Sequence, residues 1–208
     1  MIICLKRCIL HSMGCYAVNI DSQLTMADHV TAVCKVGYYQ LRQLQGVVQS
    51  LTSEPALVNA FISNRLDYCN SLLCGIADTQ LQRLQSVQNA ASRLVTGTRR
   101  SEHITPVLRS LHWLPVRQRI TFKVATIVHK CLNGRAPVYL SNDHQYAGQR
   151  RTSMRSSSAA LLEVPRSRTA IGDRSFSMTG PRVTLPASVR DTNSSLRFRK
   201  LLKAFPCI

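Results

Sequence analysis

The sequence predicts a mainly α protein: an antiparallel helical array, then a basic, largely irregular tail and a short C-terminal helix. Three observations predict it. Between residues 20 and 141, apolar side chains recur at three- and four-residue steps. Residues that start and stop helices bracket those stretches. Beyond Ser141 the chain turns rich in Ser, Arg, Thr and Gly, and contiguous apolar pattern is lost. The predicted organisation is therefore residues 1–19 as a separate N-terminal segment, 20–141 as a helical domain, and 142–208 as a basic tail.

The first helix is expected from Thr25 to about Leu51. Val30, Val33, Leu41, Leu44 and Val48 form its stripe, and Thr25 or Asp28 stands where a cap belongs. Gly37 weakens its middle by about 1 kcal/mol relative to Ala. A second helix is expected after Ser53, with Pro55 in its first turn. It carries Leu57, Val58, Phe61, Ile62, Leu66, Cys69, Leu72 and Leu73 and stops at Gly75. The third has Asp78 as N-cap, a stripe of Leu81, Leu84, Val87, Ala91, Leu94 and Val95, and Gly97 as its left-handed stop.

Thr105-Pro106 opens a short helix to about Leu111. Pro115 opens a longer one carrying Val116, Ile120, Val124, Ile127, Val128, Cys131 and Leu132, ended by Asn133-Gly134. Ala136-Pro137 begins one further turn through Leu140. None of these helices holds alone; each needs its stripe buried. In the tail, Leu161–Pro165 and Ser175–Met178 read as short strands. A last helix runs from Ser194 or Ser195 to Ala204, with Leu196, Leu201 and Leu202 inward and Arg197, Arg199, Lys200 and Lys203 outward.

Charge dominates the composition. The 208 residues hold 27 Lys+Arg against 10 Asp+Glu, a formal net charge of +17. It is uneven, since residues 98–208 hold 20 of those 27 cations and five of the 10 carboxylates. Such a half is built for a polyanion, and nucleic-acid phosphates reward closely spaced Arg through counterion release. The expected backbone contacts are Arg99, Arg100, Arg117, Arg119 and Lys123 in the helical part, and Arg150, Arg151, Arg155, Arg166 and Arg168 in the tail. Arg119 and Lys123 share a helix face, whereas Arg117 and Arg119 do not. Phosphate contacts position a strand without reading its sequence. Tyr38, Tyr39 and Trp113 are aromatic enough to stack on bases but are expected in the core.

Other chemistry finds little support. The eight cysteines contain no C-x-x-C pair, so neither a zinc site nor a disulfide framework is expected, and reduced, buried thiols of an intracellular protein fit better. No Gly-x-Ser-x-Gly elbow and no Gly-rich phosphate loop occurs. His103 and His112, which flank the short helix, have no carboxylate at a useful spacing and are expected to pack or cap. Asp67-Tyr68-Cys69-Asn70 beside Arg65 reads as a buried polar junction. Met1–Asn19 mixes apolar residues with Lys6, Arg7 and His11, unlike a signal peptide. No stretch approaches the ~20 apolar residues that span a bilayer, so no membrane partner is expected. No cofactor and no metal are expected.

Five phrases stand out together: Ile20-Asp-Ser-Gln-Leu-Thr-Met-Ala-Asp-His-Val30, Ala60-Phe-Ile-Ser-Asn-Arg-Leu-Asp-Tyr-Cys-Asn-Ser-Leu-Leu73, Leu81-Gln-Arg-Leu-Gln-Ser-Val-Gln-Asn-Ala-Ala-Ser-Arg-Leu-Val95, His103-Ile-Thr-Pro-Val-Leu-Arg-Ser-Leu-His-Trp-Leu-Pro-Val-Arg117 and Gly172-Asp-Arg-Ser-Phe176. In this order the chain, from about Ile20 to Phe205, resembles the region after the polymerase core of jockey-like non-LTR retrotransposon reverse transcriptases. The resemblance implies that Ile20–Asp28 follows the palm and that the helices from Thr25 to about Gly134 are thumb and post-thumb elements lying against a template–primer duplex. An endonuclease and the palm would lie upstream, outside this chain.

The chain departs from that family in places. Two-metal polymerases need paired carboxylates, including an adjacent Asp-Asp pair. Here Asp21, Asp28, Asp67, Asp78, Asp143, Asp173 and Asp191 are all scattered. Family members usually carry Trp-Asn-Ser-Leu-Pro after Gly-Pro-Arg, whereas Gly180-Pro-Arg-Val-Thr-Leu-Pro186 lacks the Trp and is shorter, and His129 stands where Tyr is usual. The expectation is a non-enzymatic fragment of an RNA-directed DNA polymerase that binds nucleic acid. Two other readings stay open, a domesticated helical module holding a protein partner and a decayed element product without function.

Overall fold

A computed structural model describes residues 18–48, 58–142, 162, 164–169, 171–183, 192 and 194–204. Among them the structure is mostly helical and contains no strand. The expected strand over Leu161–Pro165 falls partly outside the described residues. The chain divides into two compact units, Met1–Val116 and Arg117–Ile208.

Unit 1 opens on a turn held by one carboxylate. Asp21 accepts the Thr25 amide at 2.9 Å, the Met26 amide at 2.8 Å and the Thr25 hydroxyl. These bonds fix Leu24 and Met26 at φ 53° and 62°, a conformation that costs a non-Gly residue about 1–3 kcal/mol. The Thr25 hydroxyl, with the two amides, holds the Asp21 carboxyl below the usual 3.8. Asp21 thus organises the start of α1 (Ala27–Val48) together with Thr25, one of the two expected caps, whose Oγ1 accepts the Ala27 amide at 3.3 Å. Val30, Val33 and Leu41 are buried as the periodicity predicts.

His29, on the first turn of α1, is buried, and its Nδ1 accepts the Asn19 amide at 3.4 Å. Burial, and then the nearby Arg65 cation, push its imidazole below the usual 6.5. The unfolded chain therefore binds the proton more readily than the folded one. Stability is fully present above pH 6.5 and falls as the solution is acidified below it. A melting series from pH 7.5 to 5 should show a falling Tm, and His29→Gln should flatten that slope. Asp21 does not interfere, because its contribution is lost only below about pH 3.8. An unchanged slope in the variant would contradict the assignment.

The second helical stretch departs from expectation. A π turn (Asn59–Ser63) leads into α2 (Asn64–Asp67), and the helix stops at Tyr68 rather than running to Gly75. Cys69 turns left-handed (φ 51°, ψ 24°), and a 3-10 turn follows over Asn70–Leu73. Asn70, just past the break, donates its Nδ2 to Asp67 Oδ1 at 3.4 Å and so links the two short helical pieces. Val58, Ile62, Leu66 and Leu73 are buried, but Phe61 and Leu72, expected in the same stripe, are exposed. In the polar phrase, Asn70 is buried, Arg65 half-buried and Asp67 exposed.

The third predicted helix is α3 (Asp78–Thr96), with Gly97 at φ 66° closing it. Asp78 is its first helical residue instead of the cap before it; there it complements the N-terminal dipole. α3 packs along α1. Arg83 reaches Thr31 and Val87 meets Gly37, so the contacts advance in the same sense along both helices. Leu84, Val87 and Ala91 of α3 are buried, Val87 against α1; each fully buried aliphatic side chain of Leu or Val size contributes about 1.5–3 kcal/mol. Two polar residues absent from the predicted stripe are equally buried, Gln88 and Ser92. Gln88 Nε2 donates to the Leu114 carbonyl at 2.8 Å, and Gln85 Oε1 accepts the Val116 amide at 2.9 Å. Gln85 also donates to Gln88 Oε1 at 3.1 Å. α4 (Ile104–Ser110) packs on α3 and buries Leu108.

Unit 2 is built on α5 (Val116–Leu132), whose buried Ile120, Val124, Val128 and Cys131 follow the predicted stripe. Gly134 at φ 64° ends it, and α6 (Val138–Ser141) follows. Ser175–Met178, read as a strand, instead enters α7 (Phe176–Arg182). Four residues are too few to separate a two-residue repeat from a helical one. The Thr179 hydroxyl and amide both donate to the Ser175 carbonyl at 2.9 Å and close the first turn. The terminal helix α8 (Ser195–Ala204) forms as expected. Its inward face is corrected: Phe198 and Leu202 are buried and Leu196 is 73% exposed. Leu196 lies two residues from Phe198, so roughly 200° of helical rotation turns it outward. Phe198 and Leu202 pack with Ala125 of α5, flanked by Phe122, Val183 and Leu201. The His129 ring stacks on Phe198 at 3.9 Å and 24°, and its Nε2 lies 2.6 Å from the Thr192 carbonyl.

Candidate nucleic-acid interface

The predicted contact residues fall into both units. In unit 1, Arg99 and Arg100 are exposed in the loop after α3. That loop is braced by Glu102, whose carboxylate accepts the Arg99 amide at 3.3 Å. Its carbonyl accepts the Arg93 guanidinium at 3.4 Å. The Glu102 charge offsets part of the local field, so Arg99 and Arg100 are the weaker of the folded candidates.

In unit 2, Arg117 and Lys123 on α5 are exposed and Arg119 is half-buried. Arg117 and Arg119 make further interactions of their own. Arg119 and Lys123, four residues apart, lie on one face as expected. Arg166 and Arg168 are exposed in the segment 164–169. Arg182 pairs with Asp173 at 3.5 Å with both groups about half exposed, a surface pair of little energetic weight. Arg150, Arg151 and Arg155 lie outside the described residues.

The surface that sequence reasoning did not single out as a site is α8. Its ten residues present Arg197, Arg199, Lys200 and Lys203 to solvent and include no carboxylate. Arg197, Lys200 and Lys203 follow one another at three-residue steps and form a row. Phe198 and Leu202 hold the opposite face against α5. The sequence pattern already places these cations outward and Leu202 inward; what it does not single out is Phe198, the second buried anchor of the row.

His103 and His112 are both exposed and His103 makes no capping bond, so neither packs nor caps as expected. Among the described residues no three His, Cys, Asp or Glu side chains come together to hold a metal ion. Cys34 and Cys131 are buried and Cys69 and Cys74 half-buried, all four as free thiols. Burial pushes the Cys34 thiol up, and the Arg83 cation partly opposes that. Among the described residues no helix is long and apolar enough to cross a membrane.

No family model, no curated protein and no solved structure matches this chain.

Proposed function

We propose that the protein is a nucleic-acid-binding part of a retrotransposon RNA-directed DNA polymerase, without that enzyme's catalytic carboxylates, and that it grips the phosphate backbone through its basic half. The observation that carries this reading is the concentration of exposed cations on α5 and α8. Lys123, Arg197, Arg199, Lys200 and Lys203 all face solvent. Closely spaced Arg and Lys displace condensed counterions from a nucleic acid, and the released ions drive binding. Such contacts hold a strand in place and do not read its sequence. The five ordered sequence phrases support the polymerase origin, and the scattered aspartates support the absence of chemistry, because no Asp-Asp pair is present to share two metal ions.

The test is salt dependence. Binding of the full chain to an RNA–DNA or DNA duplex should weaken steeply as salt rises, with a log–log slope of about −0.9 for each phosphate contacted. Replacing Arg197, Lys200 and Lys203 together with Ala should make that slope shallower by roughly 2 to 3. Affinity that stays flat between low and moderate salt would overturn the reading.

A further inference from the structure

The two tyrosines expected in the core lie on the surface of α1. Tyr38 is 42% and Tyr39 63% exposed. Lys35 and Arg42 are exposed on the same helix, and no hydrogen bond or ion pair among the described residues engages either cation or either ring. Lys35 precedes the tyrosines by three and four residues, and Arg42 follows them by four and three, so the four side chains share one face. Thr31 lies one turn before Lys35, and there Arg83 of α3 is fixed by bonds to Thr31 Oγ1 at 3.0 Å and Gln80 Oε1 at 2.9 Å. From Thr31 to Arg42 the face spans roughly 16 Å of helix axis. Along it run a cation, a second cation, two aromatic rings and a third cation, with no carboxylate among them. Asp28 stands at the far N-terminal end.

We infer that this face of α1 binds single-stranded nucleic acid, its cations on the phosphates and Tyr38 and Tyr39 stacked on bases. Cations alone would suit a duplex equally well. The rings discriminate, because an exposed tyrosine can stack only on a base whose own face is free, and duplex bases cover one another. A second copy of the chain is a poor occupant: it would set Lys35 and Arg42 against their own equivalents in a molecule of net charge +17. The site lies in unit 1 and is separate from the α8 cations, so it adds strand selectivity to backbone binding and does not depend on it.

The experiment measures anisotropy of labelled oligo(dT), of the corresponding duplex and of an abasic strand against the full-length chain at fixed low salt. Y38A/Y39A should weaken oligo(dT) binding at least about tenfold and leave duplex and abasic binding within about twofold. Tyr38→Phe with Tyr39→Phe, which keeps both rings, should bind oligo(dT) within about twofold of the parent. Both side chains are exposed, so truncation leaves the core intact; helical circular dichroism checks this, and Tyr39→Ala alone serves if the double variant is unstable. Oligo(dT) binding that ignores the tyrosines, equal loss on all three probes, or equal displacement by polyglutamate would overturn the inference. If the α8 variant loses duplex binding while Y38A/Y39A changes nothing, only this inference falls. If oligo(dT) binding needs the tyrosines while duplex binding is insensitive to both salt and α8, only the backbone reading falls. A parent chain that binds no probe removes both.

Discussion

Phe198→Ala should destabilise unit 2 by about 3–5 kcal/mol. Phe198 is fully buried, its ring stacks on His129 at 3.9 Å, and with Leu202 it seats α8 on Ala125. Truncation removes the ring's buried surface and leaves a cavity that a ten-residue helix closes poorly. An isolated helix of that length is marginal in water, so α8 depends on these contacts for its existence. The loss is a large fraction of the roughly 5–15 kcal/mol that stabilises a typical domain. Urea titration gives the total, and hydrogen exchange localises it, because α8 amides should lose protection first. Phe198→Leu, which keeps most of the apolar volume, should cost clearly less. A loss below about 1 kcal/mol for the alanine variant would show that Phe198 does not anchor the helix. The same variant should also weaken duplex binding although no charge is touched, since Arg197, Lys200 and Lys203 would no longer form a row.

Gly37→Val should cost about 3 kcal/mol in unit 1, the upper part of the usual overpacking range. A Cβ built at Gly37 would stand 2.7 Å from Val87 Cγ1, inside van der Waals contact. Val87 is buried and β-branched, so it has few rotamers with which to retreat. Gly37→Ala is the informative control. Alanine gains about 1 kcal/mol of helix propensity over glycine, yet its methyl meets the same obstacle, so the net effect should still be destabilising. In a Val87→Ala background the obstacle is gone, and Gly37→Ala should then stabilise. A stabilising Gly37→Ala in the parent would mean that α1 and α3 do not approach this closely. Thermal or chemical denaturation of the four chains in that cycle measures the coupling.

Gly37 also marks what the sequence could reveal. Its helix-weakening effect was readable, but its purpose was not, because Val87 is 50 residues away and only packing brings them together. α3 and α5 were legible almost to the residue, since long periodic stripes and a following glycine leave little choice. The stretch around Cys69 was not. Its apolar spacing fits one continuous helix, and nothing in that spacing marks the left-handed turn at Cys69. Leu196 and Phe198 show a related ambiguity: a ten-residue amphipathic helix fixes that a face exists, and its partner chooses which residue lies in it. For the candidate interface, exposure of Lys123 and of the α8 cations followed from charge alone. The surface position of Tyr38 and Tyr39 did not, because aromatic residues in an apolar helix are ordinarily core.

The paired glutamines of α3 have a consequence for how the following loop can vary. Gln88 and Gln85 grasp the carbonyl of Leu114 and the amide of Val116, main-chain groups that every residue except proline provides. The clasp is therefore indifferent to which side chains stand at 114 and 116, provided position 116 keeps its amide hydrogen. It is sensitive to spacing, since inserting or deleting a single residue between them would slide one of the two groups out of reach. Natural variation in that loop should therefore keep its length constant, while the buried side chain at 116 stays apolar for a separate reason, its place in the core.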